Sequence, residues 1–279
     1  MVQRFIPGKE PAHPLKDIID KQSMLFNKRE KKVRTAMYAS DFGQCQRKVW
    51  HQFFPEKYPV EDEVDAKTSR IFANGNDVHV RLGAYFKAEP ELKFREEIPV
   101  PRDELDVHGR CDGIIQSPEE RFEVLEFKSI NAREVAEPKE EHQGQLTHYL
   151  AMFEELRLAL REEFEIPEGY YPTEEELMQK PSQKGRLFAE IDDVEKRLLL
   201  SQGQVKGALI YEAKHGQAVN VFDIPLDFEK AQAVKQWFIT LKQHVDEERK
   251  PVVHYDAYAY PCSWGQSRCT YWELCHGKR

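Results

Sequence analysis

The chain has 279 residues, with 41 Lys and Arg against 49 Asp and Glu, a formal net charge of −8. Hydrophobic residues make up 40% and charged residues 32%, enough for one large globular domain or two small ones with a real core. No apolar run approaches the roughly eighteen residues of a membrane span, and the opening MVQRFIPGKEPAHP has no apolar signal-peptide core. The negative balance argues against a protein that coats nucleic acid through charge alone, though it leaves room for a local basic groove.

Residues 1–35 read as an irregular N-terminal arm with a short helix near Leu15–Phe26 and a basic run from Lys28 to Arg34, best taken as a solvated surface. In YASDFGQCQRKVWHQFF, Ser40 is a candidate N-cap, and Phe42, Cys45, Val49 and Phe53 recur at helical spacing. Cys45 then lies on an inner helix face, as a small core residue or as a ligand. Residues 56–69 are polar and read as loop. A helix beginning near Ala73–Asn76 carries His79, Leu82, Gly83 and Phe86 on one face. His79 is either a satisfied core histidine or a metal ligand. Leu92–Val100 reads as an outer strand with Pro99 near its end.

The stretch from Gly109 to Tyr149 organises the rest. Two strands, 107–116 and Phe122–Ser129, are joined by the turn Ser117-Pro118-Glu119-Glu120. Glu126 and Lys128 are two apart and share a strand face, with Phe122 and Val124 on that face and Leu125 and Phe127 on the other. If Asp112 meets Glu126 across the hairpin, two carboxylates about 4 Å apart repel by roughly 4 kcal/mol at an effective dielectric near 20. A divalent cation such as Mg²⁺ or Mn²⁺ removes that cost. Lys128 then stands where an ammonium can stabilise a phosphoryl oxygen or orient a water. An Asp with thirteen residues between it and a Glu-x-Lys is a pattern of metal-dependent phosphodiester hydrolysis; the bland alternative is an exposed edge with solvated charges.

A helix over Glu140–Arg161 places Gln145 and Tyr149 on one face, with His142 a turn earlier. Both can hydrogen-bond a nucleotide or a water in the site. Residues 162–186, rich in Glu and Pro, read as an insertion with a short helix near Thr173–Gln179. A helix over Leu187–Gln204 follows. Then two strands, VKGALIYEAK and AVNVFDIPLD, flank a turn at His215-Gly216-Gln217, and an amphipathic helix runs from Phe228 to Lys250.

The tail holds Cys262, Cys269 and Cys275, separated by six and five residues. Of five cysteines in all, an odd number in a chain read as cytosolic, three cluster here; they read as metal ligands before disulfides. Cys45 is the fourth candidate ligand, His276 a substitute, and Cys111 a poor one because it faces away from Asp112. Four thiolates suit a 4Fe–4S cluster or Zn²⁺; the wide spacing favours iron–sulfur over the close pairs typical of zinc.

In chain order these pieces resemble the iron–sulfur branch of the RecB-like PD-(D/E)XK nucleases, the group of the CRISPR adaptation exonuclease and the AddB nuclease domain. The matching segments are SDFGQC (40–45), GNDVH (75–79), GRCDG (109–113), EFK (126–128), QLTHY (145–149) and the three C-terminal cysteines. Cys111 stands where the family name has proline. The resemblance implies an α/β, restriction-endonuclease-like fold: a mixed, mostly antiparallel sheet of about five strands flanked by helices. A cysteine lobe built from 36–55 and 255–279 would complete a nuclease domain spanning 36–279. It implies His79, Asp112, Glu126 and the Phe127 carbonyl as ligands of Mg²⁺ or Mn²⁺. Asp112, Glu126, Lys128, Gln145 and Tyr149 would form the catalytic set, and Cys45, Cys262, Cys269 and Cys275 would hold a 4Fe–4S cluster. The expected activity is hydrolysis of DNA, as an exonuclease on single strands or ends, in the cytoplasm of a bacterium or of a phage's host. Recombination or CRISPR adaptation proteins are the expected partners. A DNA-binding subunit without catalysis and a restriction-type endonuclease are the competing readings.

Overall fold

The computed structural model describes residues 14–26, 33–59, 65–116, 121–131, 135–180, 182–215, 217–252, 262–264 and 267–277. The Ser117–Glu120 turn, most of the basic run after Phe26 and residues 253–261 lie outside them. Along the chain come α1 (Pro14–Phe26), β1 (Met37–Tyr38), a single 3₁₀ turn (Ala39–Asp41), α2 (Gln46–Phe53), α3 (Ala66–Lys87), β2 (Arg95–Pro99), β3 (Val107–His108), β4 (Arg110–Gln116) and β5 (Phe122–Ile130). After these come α4 (Glu140–Glu163), α5 (Glu174–Met178), α6 (Ser182–Glu190), α7 (Asp193–Leu200), β6 (Lys206–Ala213), β7 (Val219–Pro225), α8 (Phe228–Asp246), β8 (Ser263–Trp264), β9 (Ser267–Arg268) and α9 (Trp272–His276).

Five strands form the central sheet in the order β2-β4-β5-β6-β7. Only β5 and β6 run parallel; the other three pairs are antiparallel. The parallel step is made by α4 to α7, a crossover long enough to return the chain to the same end of the sheet. This is the expected mixed α/β architecture of a restriction-endonuclease-like fold.

Each sheet face has its own core. On the α4 face, Ile114, Phe122, Val124, Leu209 and Tyr211 pack with Leu146, Leu150 and Phe153. On the α3 face, Ile115, Leu125, Phe127, Ala208 and Ile210 pack with Val78 and Leu82. Helix α4 is buried on nearly all sides from Gly144 to Leu150, because α8 and the 3₁₀ turn cover what the sheet does not. Gly144 is required there: a Cβ would lie 2.0 Å from the Phe42 ring.

Several boundaries differ from the sequence reading. Helix α3 starts at Ala66, not near Ala73, because the Asp65 side chain accepts the Thr68 N–H and caps it. The residues around Ser40 form a 3₁₀ turn, and the following helix begins only after Cys45. The expected helix over Leu187–Gln204 is two helices, broken where Asp192 and Glu195 form a capping box. Arg34, expected in a solvated run, turns inward to bond Asp41 and Gln52. The segment 162–186 packs tightly: Phe164, Ile166 and Leu177 enter the main core. Among the described residues no helix is long and apolar enough to cross a membrane.

Candidate active site

The site forms where the sheet forks. Strands β4 and β5 pair from Gln116↔Phe122 to Gly113↔Leu125; one step further, Asp112 stands opposite Glu126. There the strands part, since β4 continues beside β2 (Cys111↔Ile98) while β5 continues beside β6 (Phe127↔Ile210). Separation leaves the Phe127 N–H without a strand partner on its β4 side, and Asp112 Oδ2 accepts it at 2.5 Å. The N–H and C=O of one strand residue point to the same side, so the Phe127 carbonyl also faces the fork.

His79 reaches the fork from α3, with Nδ1 2.8 Å from Asp112 Oδ1. That contact raises the His79 pKa above its usual value, against the opposing effect of burial. On the α4 side, Lys128 Nζ donates to Glu126 Oε1 at 2.7 Å and to Gln145 Oε1 at 2.9 Å. Gln145 Nε2 donates to Glu126 Oε1 at 2.8 Å and to the Tyr149 hydroxyl at 2.9 Å. Tyr149 in turn donates to the Arg110 carbonyl at 3.3 Å. Tyr149 can lie against β4 only because position 109 is glycine; a Cβ there would stand 2.5 Å from Tyr149 Cε1.

Glu126 is the most constrained of these groups. It is 3% exposed, and its Oε2 has no hydrogen-bond partner. Burial pushes its pKa up to about 7, with Lys128 pulling the other way and Asp112 adding to the rise. Among the described residues no three His, Cys, Asp or Glu side chains are already arranged as a metal-ligand set. At the fork, His79 and the Phe127 amide bond the Asp112 oxygens, and Lys128 and Gln145 bond one oxygen of Glu126.

Residues 26–276 match the PD-(D/E)XK nuclease superfamily. The chain belongs to this superfamily. No curated protein matches the sequence. Among solved structures, one described as the crystal structure of SSO0001 is 15% identical, with a TM-score of 0.51 over 96% of this chain and 98% of the other. At that identity the likeness speaks to the fold alone. Membership of the PD-(D/E)XK superfamily points to a nuclease, a hydrolase of DNA that uses divalent cations such as Mg²⁺ or Mn²⁺.

The fork of this PD-(D/E)XK protein brings together every residue that the sequence analysis assigned to the cation and to catalysis: His79, Asp112, Glu126, Phe127, Lys128, Gln145 and Tyr149. It also adds a pair that sequence reasoning did not join. The Tyr211 hydroxyl, on β6, lies 2.8 Å from His142 Nδ1. The available signal was a tyrosine inside the apolar run of β6, where a buried hydroxyl needs a partner.

Away from the fork, the two ends of the chain meet. Cys45, Cys262, Cys269 and Cys275 line one pocket with Lys48, Tyr271, Trp272 and His276. None of the four is in a disulfide. The Cys269 amide donates to the Cys262 carbonyl at 2.9 Å, and His276 Nε2 lies 3.4 Å from Cys262 Sγ. His51 is fully buried beside them, stacked on Tyr271 with ring centroids 4.9 Å apart and its Nε2 3.8 Å from Cys275 Sγ. Cys111 is elsewhere, in the main core, donating to the Ile98 carbonyl at 3.6 Å.

Proposed function

We propose that this PD-(D/E)XK protein is a Mg²⁺- or Mn²⁺-dependent DNA exonuclease of the iron–sulfur, RecB-like branch, acting on single strands or DNA ends. The observation that carries the reading is the unpartnered, buried Oε2 of Glu126 opposite Asp112. A buried carboxylate oxygen left without a partner is costly, and a cation at the fork would remove that cost. The donors at hand, carboxylate oxygens with a carbonyl and an imidazole, suit Mg²⁺ or Mn²⁺. His79, Asp112, Glu126 and the Phe127 carbonyl would hold the ion. Bound there, a divalent cation supplies the positive charge that acidifies water and offsets charge on a phosphate.

The protein's own groups have distinct tasks in this reading. Hydrolysis forms a bond from the water oxygen to phosphorus and breaks the bond to the leaving sugar oxygen, which takes up a proton. Lys128 offers an ammonium to a phosphoryl oxygen or orients the water. Gln145 holds Lys128 and Glu126 in fixed relation, and Tyr149 fixes Gln145 against β4. The exonuclease mode and the branch rest on the order of the six motifs along the chain, as does a partner drawn from recombination or CRISPR adaptation proteins.

The four cysteines of the terminal pocket would hold a 4Fe–4S cluster, with Zn²⁺ as the alternative occupant. That four cysteines far apart in sequence line one pocket supports a thiolate site. In this reading residues 36–279 form one nuclease domain after an N-terminal arm, and the cysteine lobe staples its ends.

The test is anaerobically purified protein with end-labelled single-stranded DNA and Mg²⁺ or Mn²⁺, beside a visible spectrum. Progressively shortened products with a broad band near roughly 400 nm support both halves. Shortening without the band, with zinc in the protein, moves the cysteines to Zn²⁺. A coloured protein that binds DNA and never cuts it would overturn the nuclease reading.

A further inference from the structure

One strand away from Lys128 lies a polar pair with no part in the cation site. Tyr211 is the register partner of Lys128 on β6, so the two side chains leave the same sheet face about 4.8 Å apart. The Tyr211 hydroxyl oxygen accepts the Lys139 N–H at 3.1 Å and lies 2.8 Å from His142 Nδ1. Having accepted from a backbone amide, the hydroxyl has its own proton to give. With His142 Nδ1 as the acceptor of that proton, the ring's own proton sits on Nε2.

His142 precedes Gln145 by three residues on α4, so both side chains face the same way, toward Lys128. Burial, with the Lys128 and Lys139 charges nearby, pushes its pKa down to about 3, and the ring is neutral at working pH. Nε2 has no hydrogen-bond partner among the described residues and is not sealed from solvent. The outcome is an oriented N–H donor at the mouth of the fork. An ammonium beside it and the start of a 24-residue helix favour anionic oxygen here, against the opposing charges of Glu140 and Glu141 in the same first turn.

We infer that His142 is a phosphate-binding residue of the DNA site, giving its Nε2–H to a non-bridging oxygen of the strand held beside Lys128. Tyr211 is its positioning residue, setting the tautomer. The inference rests on the nuclease reading above and names a contact within it.

The test measures anisotropy of a fluorescein-labelled single-stranded oligonucleotide with full-length protein in EDTA across a salt series, beside cleavage kinetics with Mg²⁺ or Mn²⁺. His142→Ala should weaken binding by about tenfold, a hydrogen bond to a charged oxygen, and raise KM with kcat nearly unchanged. The slope of log Kd against log salt should stay as in wild type, because a neutral donor displaces no counterion. Lys128→Ala should reduce that slope by about 0.7. Tyr211→Phe, which keeps the ring and frees the tautomer, should weaken binding by a smaller factor, about two to five. If wild type binds and cuts while His142→Ala matches it in Kd and KM, or loses only melting temperature, the inference is overturned. If wild type neither binds nor cuts DNA, the nuclease reading itself falls.

Discussion

Gln145 clamps Lys128: its side-chain carbonyl accepts from Nζ at 2.9 Å while its amide donates to Glu126 at 2.8 Å. The clamp holds in one orientation an ammonium and a carboxylate that already touch, Lys128 Nζ to Glu126 Oε1 at 2.7 Å, in a buried fork. Gln145→Ala should lower kcat by about ten- to a hundredfold, the usual loss when a group that orients a site ligand is removed. KM should change little. Single-turnover kinetics checks this; an unchanged kcat would mean that Lys128 needs no clamp.

Asp112 has two tasks that one substitution separates. It faces the proposed cation site, and it satisfies the Phe127 N–H left open where β4 and β5 part. Asp112→Asn keeps an acceptor for that amide and removes the charge. Cleavage should be lost while the metal-free melting temperature stays near wild type. Added Mg²⁺ or Mn²⁺ at about a hundred times its Kd should stabilise wild type by about 2.7 kcal/mol and Asp112→Asn hardly at all. Denaturant unfolding with and without the ion measures both.

The two strands, the shared face of Glu126 and Lys128, and the pairing of Gln145 with Tyr149 were legible in sequence, because strand and helix periods are local. The fork was not. Nothing in GRCDG says that β4 leaves β5 at Asp112; past the Gly113↔Leu125 pair each strand continues beside its outer neighbour, β4 with β2 and β5 with β6. Arg34 looked like surface charge because its partner Asp41 lies beyond the basic run. The break at Asp192 was hidden by apolar spacing that runs on through Leu187, Ile191, Val194 and Leu198, although Asp-x-x-Glu is itself a start signal.

Gly109 and Tyr149 should be coupled. A Cβ at position 109 would press within 2.5 Å of Tyr149 Cε1, so Gly109→Ala must move the ring off the Arg110 carbonyl and off Gln145. Overpacking of this kind costs about 1–3 kcal/mol, and activity should fall as well. Tyr149→Phe relieves none of the contact but removes the hydroxyl bonds. In a double-mutant cycle on kcat the two losses should therefore be far from additive; simple additivity would place the Gly109 effect elsewhere.

Acid should unfold the protein partly through His148. It is 5% exposed, packed on Phe238 with ring centroids 5.5 Å apart, and its Nε2 has no partner. Burial pushes its pKa down to about 4, with Asp103 opposing and Lys235 assisting. The unfolded chain, with a pKa near 6.5, binds this proton first. The stabilising difference is complete above pH 6.5 and is lost as pH falls from 6.5 to 4, by about 3 kcal/mol. His148→Phe should flatten that part of the stability curve. Urea unfolding at pH 7 and pH 4.5 gives the comparison, and equal losses in both proteins would mean that His148 titrates normally.

The cysteines divide into two groups by environment, and metal content should follow the division. Cys45 shares a pocket with Cys262, Cys269 and Cys275, whereas Cys111 is sealed in the sheet core with its thiol on the Ile98 carbonyl. Burial raises the Cys111 pKa well above that of a free thiol, which makes it a poor thiolate ligand. Cys45→Ala should lose bound iron or zinc, and the loop from residue 45 to the C-terminal segment should open to proteolysis. Cys111→Ala should keep the metal in full and lose only about 1–2 kcal/mol of stability from the small cavity. Metal analysis of both variants beside limited proteolysis decides it: retention of full metal by Cys45→Ala would remove that cysteine from the ligand set and leave the C-terminal segment to hold the ion alone.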